Sequence, residues 1–167
     1  NASDLVPMQI SAEVERDDVC KRSMRAIGSA LSMYPMSNDD KRPPNLMALV
    51  PDCVSDVGIF NACSYHKVPA GEGKKPVGWE YLAGIPGDPP VPDAISVFCK
   101  ASHGGRGRNV LYSDSHVDFL SEGEFRSELK RMLEILEYRE LYTEEAIKTI
   151  EKARGAVGKK AIELIPI

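Results

Sequence analysis

The chain has 167 residues, 43% hydrophobic and 28% charged, which is the balance of one ordinary globular domain with a real core. A net charge of −4 and a pI near 5.5 argue against nucleic-acid binding, which leaves a basic footprint. No run approaches the ~18 consecutive apolar residues of a membrane span, and no secretory signal is visible.

The first element is a helix, predicted from about Met8 to Tyr34. Cys20, Met24, Ile27, Leu31 and Tyr34 recur at alternating steps of four and three, one continuous apolar stripe. Glu13 to Asp18 is almost wholly charged, so the first half of this helix is expected to project into solvent. Pro35 ends it, because the residue before a proline is pushed out of helical geometry. Asn45 then caps a short helix, Leu46 to Val50, stopped by Pro51. Residues 52–78 read as irregular, with a short extended piece near Val57 to Phe60.

Three β-like runs follow: Trp79 to Ala83, Ala94 to Lys100 and Asn109 to Leu120. The proline-rich run between the first two is a loop, since proline cannot serve in a central ladder. The third run is too long for one ordinary strand and divides about a two-residue turn at Asp114–Ser115. That register sets Tyr112 opposite Val117 and Val110 opposite Phe119. One face then carries Val110, Tyr112, Val117 and Phe119; the other carries Asn109, Ser113, His116 and Asp118, with Leu111 and Leu120 as exceptions. Such sorting suits a half-buried antiparallel hairpin. The tail is helical. Ser121 and Glu124 have capping-box spacing ahead of a stripe through Phe125, Leu129, Met132 and Leu136. Thr143 caps a last helix whose stripe runs through Ile147, Ile150, Val157, Ala161 and Leu164. Together these elements predict an α+β head over residues 1–121 and a helical extension over 122–167. The extension either covers the sheet or docks a partner.

Four cysteines, Cys20, Cys53, Cys63 and Cys99, stand without a C-x-x-C pair, so their spacing does not indicate a zinc knuckle. They either form two disulfides of unspecified pairing or serve as small buried apolar residues. Cys99 and His103 resemble a nucleophile and base, but sit four apart at a strand end with no third residue to orient them. The loop Gly104 to Arg108 lacks the lysine and hydroxyl of a phosphate-binding loop and reads as a flexible turn. Trp79 and Tyr81 read as core aromatics. His116, Asp118 and Asp114 are weak metal candidates: two or three side chains on a strand face more often meet solvent. Calcium would want more clustered carboxylates.

The run from His103 through Gly104, Gly105 and Asn109 to Asp114, Ser115 and His116 resembles the signature of prepilin-like proteins of the prepilin-type processing-associated H-X9-DG family. That signature is a histidine, a Gly/Arg-rich loop and a hairpin of the form N-V-L-F-A-D-G-H-V. The helix from Cys20 to Tyr34 is similar to the family's C-x-x-N-L-R-x-I-G-x-A-L-x-x-Y. Pro43 to Pro51 is similar to its P-P-x-L-x-x-L-V-P segment, and Tyr81 to Gly84 to its first sheet strand. The likeness keeps one order from about Leu5 to Leu120. The chain departs from it at Arg108, one residue more than the motif allows, at Ser115 in place of the turn glycine, and at Ser64 in place of a proline.

The resemblance implies a pilin-like α+β fold, a long N-terminal helix packed on a small antiparallel sheet. It implies a non-catalytic subunit or minor component of a pseudopilus or type II secretion-like assembly. The partners would be other pilin-like subunits, with the inner membrane reached through an apolar helix preceding this segment and the head facing the periplasm. The motif residues would be structural and no cofactor is required, though calcium or zinc stays open. The alternative is a periplasmic ligand- or metal-binding module on the same fold.

Overall fold

The computed structural model describes residues 2–61, 63, 78–85, 91 and 93–162. Helix α1 spans Ala2–Met33, 32 residues, about 48 Å at ~1.5 Å per residue. It begins earlier than the apolar stripe predicts, and the stripe itself is where expected. Cys20, Met24, Ile27 and Leu31 are all buried, and Tyr34 packs partly against the same core. Asp18 and Val19, just ahead of them, are exposed. The side chains before Asp18, on which the expected solvent projection rests, lie outside the described residues.

Asn45 caps as predicted, accepting from the Ala48 N–H at 3.0 Å, and Leu46–Leu49 form a single 3-10 turn with both leucines buried. The expected extended piece at Val57 is instead another 3-10 turn, Val57–Asn61. Its start explains the change. The Asp56 carboxylate accepts from the Gly58 N–H at 2.8 Å, and the Asp56 carbonyl accepts from the Ile59 N–H, so the acid nucleates a turn where apolar content alone suggested a strand.

The sheet is an antiparallel meander of β1 (Trp79–Tyr81), β2 (Ile95–Cys99), β3 (Gly107–Tyr112) and β4 (Val117–Ser121) in sequential order. The predicted hairpin exists, but its register differs by one residue: Val117 pairs with Leu111 and Asp118 with Val110. The loop holds three residues, with the Ser115 N–H donating to the Tyr112 carbonyl and the Tyr112 N–H to the His116 carbonyl, each at 2.9 Å. Ser115 takes the left-handed position of such a loop, φ 74°. Its hydroxyl meets the Ser32 hydroxyl at 3.1 Å and donates to the Gly28 carbonyl at 3.4 Å, so contacts from α1 hold the conformation that glycine would adopt freely. A one-residue shift turns β4 over. Val117 and Phe119 therefore share a face with Leu111 and Asn109, and Leu120 shares the other with Val110 and Tyr112. The half-buried hairpin was the wrong premise, because both faces of the sheet are covered.

One face meets α1. There Leu111, Val97 and Trp79 pack with Met24, Ile27, Leu31, Leu46 and Phe60. The tail closes the other. Helix α2 (Glu122–Glu134) starts with both halves of the capping box between Ser121 and Glu124. Phe125, Leu129 and Met132 are buried against Ile95, Phe98 and Val110. The ring centroids of Phe98 and Phe125 are 5.1 Å apart. The helix stops at Glu134 instead of continuing through Leu136, because Ile135 is extended, and a short α3 (Leu136–Leu141) follows. Helix α4 (Glu144–Ile162) brings Ile150 into the same core, with its capping hydroxyl on Thr143 accepting from the Ala146 N–H. Ile147 packs partly against it. The side chains of Leu136, Val157 and Ala161, and Leu164 as a whole, lie outside the described residues. The fold is thus α+β, and the tail covers the sheet.

Candidate metal centre

The face closed by α1 ends in a group of sulfur atoms. Cys20 comes from α1, Cys63 follows the Val57–Asn61 turn, Cys99 is the last residue of β2, and His103 lies in the turn joining β2 to β3. One ligand atom from each residue lies within 4.8 Å of every other. The Sγ atoms of Cys20 and Cys99 are 3.3 Å apart, and Cys63 Sγ is 3.3 Å from His103 Nε2. All four side chains are buried: Cys20, Cys99 and His103 are 0% exposed and Cys63 is 1% exposed. This is a buried Cys3His cluster able to hold a metal ion.

The backbone that brings His103 there is unusual. His103, Gly104 and Gly105 all take positive φ, at 50°, 71° and 84°. The Ser102 carbonyl ties the turn shut by accepting from the Gly105 and Gly107 N–H groups at 3.1 and 3.0 Å. At Gly107 an added Cβ would stand 2.1 Å from the Leu120 carbonyl oxygen, so the strand entry needs glycine for close approach. The Gly/Arg-rich loop therefore folds the chain back so that the imidazole returns to Cys99. It does not lie open as a flexible turn. Arg108 anchors its far end, donating to the Cys99 and Lys100 carbonyls at 3.0 and 2.9 Å and to Glu122 at 2.8 Å. The Phe119 ring packs beside the imidazole in a tilted arrangement, 5.9 Å between centroids.

The thiols polarise one another. Hydrogen bonds from Cys20 and Cys99, assisted by His103, hold the Cys63 thiol far below the usual thiol range. Its bonds to Cys20 and Cys63, together with burial, push the Cys99 thiol well above it. Cys63 is thus a readier thiolate than Cys99, and the thiolate is the form that binds metal.

The four cysteines are free in this structure, and the half-buried Cys53 stands apart from the cluster. Sequence spacing missed the centre because its ligands come from three distant parts of the chain, and the zinc-knuckle spacing covers only adjacent cysteine pairs. Cys99 and His103 were noticed as a pair; their missing partners are Cys20 and Cys63. The hairpin candidates do not assemble a site. The His116 Nδ1 bonds the Asp114 carboxylate, the His116 ring stacks on Tyr112 at 4.3 Å, and Asp118 is exposed. His116 and Asp118 do share a strand face, but among the described residues no third metal-ligating side chain joins them. Trp79 is core, and Tyr81 donates to the Pro43 carbonyl at 2.8 Å. No family model, curated protein or solved structure matches this chain.

Proposed function

We propose that the chain is the head of a non-catalytic, pilin-like structural subunit, a component of a pseudopilus or type II secretion-like assembly in the cell envelope. The observation that carries this reading is the length of α1. Eighteen helical residues, Ala2 to Val19, precede Cys20 of the buried stripe. At about 48 Å the helix is more than twice as long as the longest strand of the sheet, six residues or about 20 Å, a proportion that suits a helix shared with neighbouring subunits. The ordered resemblance from Leu5 to Leu120 agrees, with the motif residues His103, Gly104, Gly105, Asn109, Asp114, Ser115 and His116 acting in turn and hairpin geometry. In this reading other pilin-like subunits pack on the N-terminal half of α1, an apolar helix upstream anchors it in the inner membrane, and the head faces the periplasm. The upstream coding sequence is the first test, and ~20 apolar residues after a short basic leader are expected. Cysteine pairs placed at Met8 or Ile10 of the full-length product should then crosslink neighbouring copies in membranes. A full-length product that stays in the soluble fraction and gives no crosslinked ladder would refute the assembly role.

A second reading, a metal-binding module on the same scaffold, is favoured by the buried cluster. Its donors are three sulfurs and one imidazole, a set that suits zinc and offers nothing to calcium, which takes oxygen ligands.

A further inference from the structure

We propose that Cys20, Cys63, Cys99 and His103 form a closed structural zinc site that clasps α1 to the sheet. The inference deepens the metal-binding reading and stands whether or not the chain joins an assembly.

Geometry comes first. Zinc–sulfur bonds of ~2.3 Å and a zinc–nitrogen bond of ~2.0 Å imply a tetrahedron with edges of about 3.5–3.8 Å. Two donor pairs are each 3.3 Å apart, slightly inside those edges, and no pair exceeds 4.8 Å, so small side-chain movements centre one ion. The spread is too tight for a multi-iron cluster and leaves room for a single ion. With four protein donors and almost no exposure, no position remains for water or substrate, which is the arrangement of a structural site and not a catalytic one.

The competing account is a disulfide between Cys20 and Cys99, whose sulfurs also meet. That bond engages two of the four groups and leaves a third buried thiol and a fully buried imidazole facing it. Zinc accounts for all four at once, and for the left-handed backbone at His103 that returns the ring to the cluster. It also accounts for the placement of the ligands. One comes from α1, one from the loop after the Val57–Asn61 turn and two from the sheet end, so a single ion fastens three parts of the chain that are far apart in sequence.

The three thiols and the imidazole together offer one ion a complete tetrahedral donor set. With three thiolates the zinc site carries one net negative charge. Arg108 donates to the Cys99 carbonyl and so fixes the strand end that carries two of the ligands, while Glu122 pairs its charge.

The test uses the full chain, purified with zinc present and without added oxidant. Elemental analysis should find one zinc per chain. Cobalt substitution should give the intense visible bands of a tetrahedral ion and a charge-transfer band sized for three thiolates. Cys63→Ser and His103→Asn should weaken cobalt binding by more than ~10-fold, whereas Cys53→Ser should leave it unchanged. Should the ligand variants fail to fold, the wild-type cobalt spectrum still reports the donor set. A folded, reduced protein without stoichiometric zinc would overturn the proposal. So would a Cys20–Cys99 disulfide found by mass spectrometry in that zinc-supplied protein, or equal loss of metal in Cys53→Ser and Cys63→Ser. None of these outcomes depends on membrane anchoring or crosslinking, so this proposal and the assembly role can fail separately.

Discussion

The two faces of one small sheet are closed by different means. The tail face is ordinary apolar packing: Phe125, Leu129, Met132 and Ile150 against Ile95, Phe98 and Val110. Each such side chain contributes about 1.5–3 kcal/mol on burial, with no other group required. The α1 face has its own apolar core in Met24, Ile27, Leu31 and Leu111, but its far end is three thiols and an imidazole. Polar groups at that depth stabilise a fold only when something satisfies them. The tail face is therefore expected to be self-sufficient, while the α1 face depends on what the sulfur cluster holds.

Metal removal should separate the faces most sharply. Chelation of the zinc-loaded protein is expected to lower Tm by about 10 °C, in keeping with the loss of ~4 kcal/mol of linked binding energy from a domain of this size. Hydrogen exchange should accelerate in α1 around Cys20–Leu31 first, with α2 protected longest. Equal exchange gains on both faces would break the comparison. Gly84→Ala strikes the tail face instead. Gly84 has φ 112°, and an added Cβ would lie 2.3 Å from the Leu141 carbonyl oxygen and 2.7 Å from the Thr143 nitrogen. Where the sheet meets the tail, the Thr143 N–H also donates to the Ala83 carbonyl at 3.1 Å. A loss of ~3 kcal/mol by chemical denaturation is expected, with zinc content unchanged.

Arg108→Ala tests the link between the faces, since its guanidinium joins the Cys99 and Lys100 carbonyls to Glu122 at the start of α2. It should cost about 1–3 kcal/mol and also weaken metal retention; an effect on stability alone would show that the cluster does not feel it. The smallest effect is alkaline. Burial raises the Tyr81 phenol to about 12, and burial likewise raises Tyr142, whose hydroxyl donates to the Ile95 carbonyl at 2.7 Å. The folded state keeps these protons longer than the unfolded chain, whose tyrosines titrate near ~10. Their stabilisation is thus complete below pH ~10 and lost as pH rises through about 12. Tyr81→Phe should cost about 1 kcal/mol at neutral pH and flatten that alkaline decline, while Tyr142→Phe should do the same from the tail face. An unchanged alkaline slope in both variants would count against burial as its cause.

Local rules made much of the fold readable in the chain itself. The α1 stripe, the Asn45 cap, the Ser121–Glu124 capping box and the three β-like runs each depend on neighbours a few residues apart, and each is where its pattern places it. The hairpin was legible as a hairpin and misread by one residue. Its loop type depends on Ser115 holding a left-handed conformation, and contacts from Ser32 and Gly28 on a distant helix hold it there. The candidate site was legible only as fragments: a Cys99–His103 pair and two unexplained cysteines. Ligand spacing along the chain carries no signal when 79 residues separate Cys20 from Cys99. What the sequence by itself determined was the set of elements and their apolar faces, because periodicity and capping act over a few residues. Only the tertiary structure decided which side of β4 faces α1, that the tail closes the second face, and that three sulfurs and an imidazole converge. Those outcomes are set by packing between segments far apart in the chain.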